Sequence, residues 1–151
     1  MKKFKFSLEK ILQLKEQILK NLKNDLSFLQ MALKEKDAEI QDLWSKYYKT
    51  DNEYKEKSSK SIMPYEIAQY KDYMTYITNM IKKKEEEKSV ILKKIEAKKQ
   101  EIINMNIEIS TLEKLKDKKL AKYNYKVQKM EEVLIEEFVS NSTSVSAEAN
   151  W

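Results

Sequence analysis

From Leu8 to Tyr54 the chain repeats an apolar position at alternating three- and four-residue steps. The series runs Leu8, Ile11, Ile18, Leu22, then Leu26, Leu29, Leu33, Ile40, Leu43, Tyr47 and Tyr54, with Lys15, Lys36 and Thr50 at the polar positions of the same seam. Such spacing places one stripe along one side of a helix. The step from Leu22 to Leu26 adds a second consecutive four, a stutter that locally relaxes a left-handed supercoil. Ser7 is placed to cap the helix, and Glu9 in the first turn suits the positive end of the helix dipole. Three serines in "KSSKS" then interrupt the pattern, and Pro64 follows. Proline lacks the amide hydrogen of a helix interior but fits a first turn. The break therefore reads as a reversal into a second helix, capped by Ser61 or a near neighbour.

The second helix has the cleaner period. Ile67, Tyr70, Met74, Ile77, Ile81, Lys84, Lys88, Ile91, Ile95, Lys98, Ile102, Met105, Ile109 and Leu112 form its seam, and 11 of these 14 positions are apolar or aromatic. The stripe continues through Lys116, Leu120, Tyr123, Val127, Met130, Leu134 and Phe138. The remaining "VSNSTSVSAEANW" is serine-rich and without period, the composition of a disordered tail. The expected fold is all-α, an elongated antiparallel two-helix coiled coil over residues 1–138. Helix 1 covers about 7–57, the turn about 58–63 and helix 2 about 64–138, with 139–151 as tail.

A turn centred near residue 62 pairs positions whose numbers sum to about 124. Lys36 then faces Lys88 and Ile40 faces Lys84, a repulsive layer unless Glu35, Glu39 or Glu87 compensate. A loosely packed, solvated layer that helps to fix register is expected there. Lys98 falls opposite Leu26. Residue 4 meets residue 120, which leaves 121–138 as about 27 Å of helix without a partner. An apolar stripe on an unpaired helix marks a docking face. Beside the helix 2 seam, Tyr73, Tyr76 and Met80 make a second stripe that an antiparallel pair does not bury. Tyrosine and methionine are enriched at such partner surfaces.

Composition narrows the chemistry. The chain has no Gly, Cys or His. Turns with positive φ, disulfides, thiolate sites and the usual general base are thereby removed. No cofactor, no metal and no enzymatic activity are expected. Glu131, Glu132, Glu136 and Glu137 in "KMEEVLIEEF" lack a cleft in which carboxylates could do acid–base work, and suit a basic partner surface instead. Net charge is +5, yet every basic residue is Lys, interleaved with acids, and Arg, the residue suited to guanine and phosphate, is absent. Nucleic-acid binding is disfavoured. "MKKFKF" is not followed by a signal-peptide apolar run, and no stretch has the length of a membrane span. A soluble, cytoplasmic protein without direct membrane insertion is expected.

The opening "KKFKFSLEKILQLKE", the serine- and lysine-rich loop before "YEIAQYKDYMTYI", and the closing "KMEEVLIEEF" together resemble the flagellar FliJ family in order, spacing and length. That resemblance implies a fold similar to the coiled-coil stalk of the gamma subunit in rotary ATPases. It implies a place in flagellar type III export, at the inner face of the cell membrane at the flagellar base. The partners it implies are the hexameric export ATPase, whose ring would receive Tyr123, Val127, Met130, Leu134 and Phe138, the membrane export gate, and export chaperones. The gate contact maps onto Tyr73, Ile77, Met80 and Lys84, although Met80 is larger than the family's small residue and Lys84 is charged. The equivalent stalk of a virulence-type secretion system, a generic coiled-coil scaffold and a lysine-rich nucleic-acid-binding rod remain alternatives.

Overall fold

The computed structural model describes the backbone of residues 2–149 and the side chains of residues 2–145. Two helices account for nearly all of it: α1, Glu9–Lys60, and α2, Pro64–Ala149. Three residues join them. Met63 accepts hydrogen bonds from the amides of Glu66 (3.0 Å) and Ile67 (3.2 Å), so it stands at the N-cap and Pro64 opens the first turn. The cap is therefore Met63 and not Ser61. The residue before a proline is pushed out of the helical region, so α1 cannot run on through Met63. Among the described residues none has positive φ. The reversal needs no left-handed residue, and the lack of glycine costs nothing.

At the other end, the Glu9 amide donates to the Phe6 carbonyl (3.1 Å) and the Leu12 amide to Leu8 (2.9 Å). Leu8 thus occupies the cap position expected for Ser7. Past Phe138, where the composition reads as a disordered tail, the helix runs on. Residues 139–149 continue α2 as helix, and the side chains described there are exposed. Residues 150 and 151 of that tail lie outside the described residues.

The chain packs as two compact units, residues 19–103 and residues 1–18 with 104–151. In the first, Ile40, Ile77 and Ile81 form a buried cluster flanked by Leu43 and Tyr47. Ile77 is only 2% exposed. Beside this cluster the expected lysine layer is compensated. Lys36 binds Glu87 (2.7 Å) and Glu39 (3.2 Å), while Lys84 binds Glu39 (3.1 Å) and Glu87 (3.8 Å), closing a ring of alternating charge. Lys88 turns to Asp37 (2.7 Å) and Lys98 to Asp25 (3.7 Å). Each of these four seam lysines has a carboxylate partner. The paired residue numbers across the two helices sum to 123 or 125, bracketing the expected register.

In the second unit Phe6, Leu12 and Ile109 are buried. Lys15 binds Glu108 (2.8 Å) and Lys116 binds Glu9 (2.9 Å), pairs of the same register. Here the seam corrects the expectation for Ile11, which is 45% exposed, while Leu12 is 3% exposed. Between Leu8 and Lys15 a step of three followed by four and a step of four followed by three both fit, so periodicity alone does not choose.

The charge ring carries a pH signature. Hydrogen bonds from Lys84 and then Lys36 hold the Glu39 carboxyl below its ordinary range. The hydrogen bond from Lys36 does the same for Glu87. A carboxyl more acidic in the folded than in the unfolded chain contributes stability above its unfolded value, and loses it as pH falls through the folded value. Thermal unfolding followed by circular dichroism should therefore show a midpoint that drops as pH is lowered below about 4.3. A Glu39→Gln, Glu87→Gln variant should drop less. Equal drops in both proteins would remove the ring as a source of the acid limb.

Candidate docking surfaces

Near residue 123 the N-terminal segment folds against α2. The Tyr123 hydroxyl donates to the Lys2 carbonyl at 2.6 Å. The Phe4 ring lies 5.6 Å from the Tyr123 ring in a tilted arrangement, a favoured geometry for aromatic pairs. Tyr123 is therefore half-buried and engaged, which corrects the expectation that α2 is unpartnered from residue 121 onward. Val127 is also half-buried. Beyond it the stripe opens to solvent, from Met130 at 50% through Leu134 at 61% to Phe138 at 72% exposed. Val133 and Ile135 are exposed beside it, so the apolar surface is broader than the seam positions alone. Glu131, Glu132, Glu136 and Glu137 stand around it in solvent. Of the five residues assigned to ring binding, Met130, Leu134 and Phe138 form the free surface, and Tyr123 and Val127 form its packed base.

The early α2 set divides differently. Tyr73 and Tyr76 are exposed and Met80 is half-buried. Ile77 belongs to the buried cluster, and Lys84 is tied into the charge ring. A partner approaching this face meets Tyr73, Tyr76 and Met80. Ile77 and Lys84 do not offer a docking surface, because their seam positions turn them to α1. Their four-three-four spacing crosses from the flank into the seam and back, which residue type alone does not reveal.

An open groove of about 640 Å³ adjoins Tyr73, lined among others by Lys46, Glu53, Tyr65, Glu66 and Tyr70. The Lys57 ammonium sits 5.5 Å over the Tyr70 ring, and the Tyr54 ring packs 5.8 Å from Tyr70. The Lys46 ammonium is held protonated above its ordinary range by Asp42 first, with smaller contributions from the nearby Tyr73 and Tyr76. On α1, Trp44 stacks on Tyr48 at 5.7 Å and meets Tyr47 edge-on at 5.5 Å. Sequence reasoning did not single out this aromatic group. Its signal was the three- and four-residue spacing of Trp44, Tyr47 and Tyr48.

Among the described residues no group of three or more carboxylates is placed to hold a metal. The surfaces offered are contact surfaces: exposed apolar and aromatic stripes on helices whose other side is packed. They stand on a hairpin coiled coil of two long antiparallel helices.

The model of the flagellar FliJ protein family matches residues 4–148, and the chain belongs to that family. It is accordingly a component of flagellar protein export. No curated protein and no solved structure matches the chain.

Proposed function

We propose that this protein is the non-enzymatic stalk of the flagellar export apparatus, and that the end of α2 inserts into the ring of the hexameric export ATPase. The observation that carries the reading is the run of increasing exposure from Met130 to Phe138 on a helix whose preceding turns are packed. Burying that stripe inside a ring favours the assembled state. Anything that binds the hexamer and not its separated subunits raises the hexamer fraction by mass action. The glutamates around the stripe suit a ring lining with basic residues.

The exposed Tyr73 and Tyr76 and the half-buried Met80 serve the membrane export gate, and export chaperones are carried on the same stalk. The protein works in the cytoplasm, at the membrane face of the flagellar base. No described helix is long and apolar enough to cross a membrane, in keeping with peripheral attachment.

Sedimentation of the cognate export ATPase tests the ring contact. Full-length protein should raise the hexamer fraction. A Met130→Glu, Leu134→Glu, Phe138→Glu variant, still helical by circular dichroism, should need at least about tenfold more protein for the same effect. An unchanged effect would place the contact elsewhere. For the gate, a Tyr73→Ala, Met80→Ala variant should lose retention on the immobilised cytoplasmic part of the gate protein. Lys84→Gln should lower the unfolding midpoint and leave retention intact. The reverse pattern would move the gate contact off this face.

A further inference from the structure

The positive charge of this protein is concentrated. Residues 2–6, "KKFKF", and residues 118–130 hold eight of the 30 basic residues and none of the 25 acids. The rest of the chain is net negative. Lysines are therefore not interleaved with acids throughout, as the whole-chain reading suggests. The two stretches are fastened together by the Tyr123–Lys2 hydrogen bond, the Phe4–Tyr123 ring contact and the burial of Phe6.

Their arrangement is one-sided. At 3.6 residues per turn, Lys118, Lys119, Lys122, Lys126 and Lys129 fall within an arc of about 100°, its centre turned about 100° from that of the Tyr123–Val127–Met130–Leu134 stripe. All five are exposed. Among the described residues, only Lys129 of the five has a carboxylate partner, Glu132 at 3.2 Å. Its ammonium also lies 5.6 Å over the ring of Tyr125, which is exposed beside the arc.

We infer that this lysine face adsorbs to an anionic phospholipid surface, held by charge and without insertion. Clusters of four to eight basic residues on a helix are what an anionic leaflet attracts, and tyrosine at the margin suits the headgroup level. Lysine, the basic residue throughout this arginine-free chain, suits a lipid surface at this face. Arginine supplies the fork that fits a carboxylate or a base edge, whereas lysine is a flexible, hydrated point charge. A fluid headgroup plane rearranges to meet point charges, and a folded acidic surface does not. Single-stranded nucleic acid would need a series of free stacking rings; Phe4 and Tyr123 are occupied with each other, and Tyr125 alone stands exposed beside the arc. The lysine arc flanks the apolar stripe on α2 and meets it at Lys129, which lines a groove with Met130 and Leu134; the inference rests on the lysines and not on the stripe.

Co-sedimentation of the full chain with vesicles of about one-third phosphatidylglycerol in phosphatidylcholine tests it. Binding is expected at low salt, with a steep fall as ionic strength passes about 0.15 M, and none to pure phosphatidylcholine. Replacing Lys119, Lys122, Lys126 and Lys129 by Gln should weaken binding at least about tenfold. Replacing the exposed Lys82, Lys83, Lys93 and Lys94 by Gln, the same change in net charge, should leave it nearly unaltered. Circular dichroism checks that both variants remain helical. No binding to the anionic vesicles, equal loss in the two variants, equal binding to pure phosphatidylcholine, or preference for duplex DNA or polyglutamate at the same salt would overturn the assignment. No ATPase is present, so failure here leaves the ring reading untouched.

Discussion

One constraint governs this protein: the seam stripe of each helix is buried against the other, and the pairing holds to one register. Around Ile40, Ile77 and Ile81 that register is set by shape and by charge together. A sliding step of one heptad would still match apolar to apolar along much of the seam. It would not preserve the ring formed by Lys36, Glu39, Lys84 and Glu87. Lysines at seam positions contribute less burial than isoleucines would. They add discrimination between registers instead, the best-attested use of polar residues in a coiled-coil seam.

Function follows from what the register leaves outside. Once Ile77 and Lys84 face α1, Tyr73 and Tyr76 have nowhere to go but solvent, and a docking stripe results from the same helix that builds the core. The second surface follows from inequality of length. With 52 residues in α1 and 86 in α2, the last turns of α2 have no α1 residue to pair with. The N-terminal segment extends the packing as far as Tyr123. Past Val127 the stripe runs on uncovered. Leucine and phenylalanine left in water for several turns of helix are what the proposed ring contact would cover.

Much of this was legible in the sequence for physical reasons. Proline before a new apolar period marks a helix start, the α2 seam is long enough to exclude other periods, and a short turn between two such helices fixes an approximate register. What escaped notice depended on choices that periodicity leaves open. Ile11 and Leu12 both satisfy the spacing, and packing selects Leu12. Ser7 and Ser61 have the right chemistry for caps, but backbone turns place Leu8 and Met63 there. The segment before α1 has no period, so its contact with Tyr123 could not be read from pattern. Serine-rich composition suggested disorder after Phe138, although nothing in "VSNSTSVS" forbids helix as proline or glycine would. The lysine face between residues 118 and 130 was visible in the sequence and was hidden by averaging charge over the chain.

The stalk reading is tested most directly by phosphate release from the cognate export ATPase, with the full chain compared against a chain ended after Lys129. That truncation keeps Tyr123, Val127 and the packed N-terminal segment and removes residues 130–151, the uncovered stripe with all that follows it. Stimulation by the full chain and none by the truncated one is the expected result. Equal stimulation by both, with both helical by circular dichroism, would contradict insertion of the α2 end into the ring.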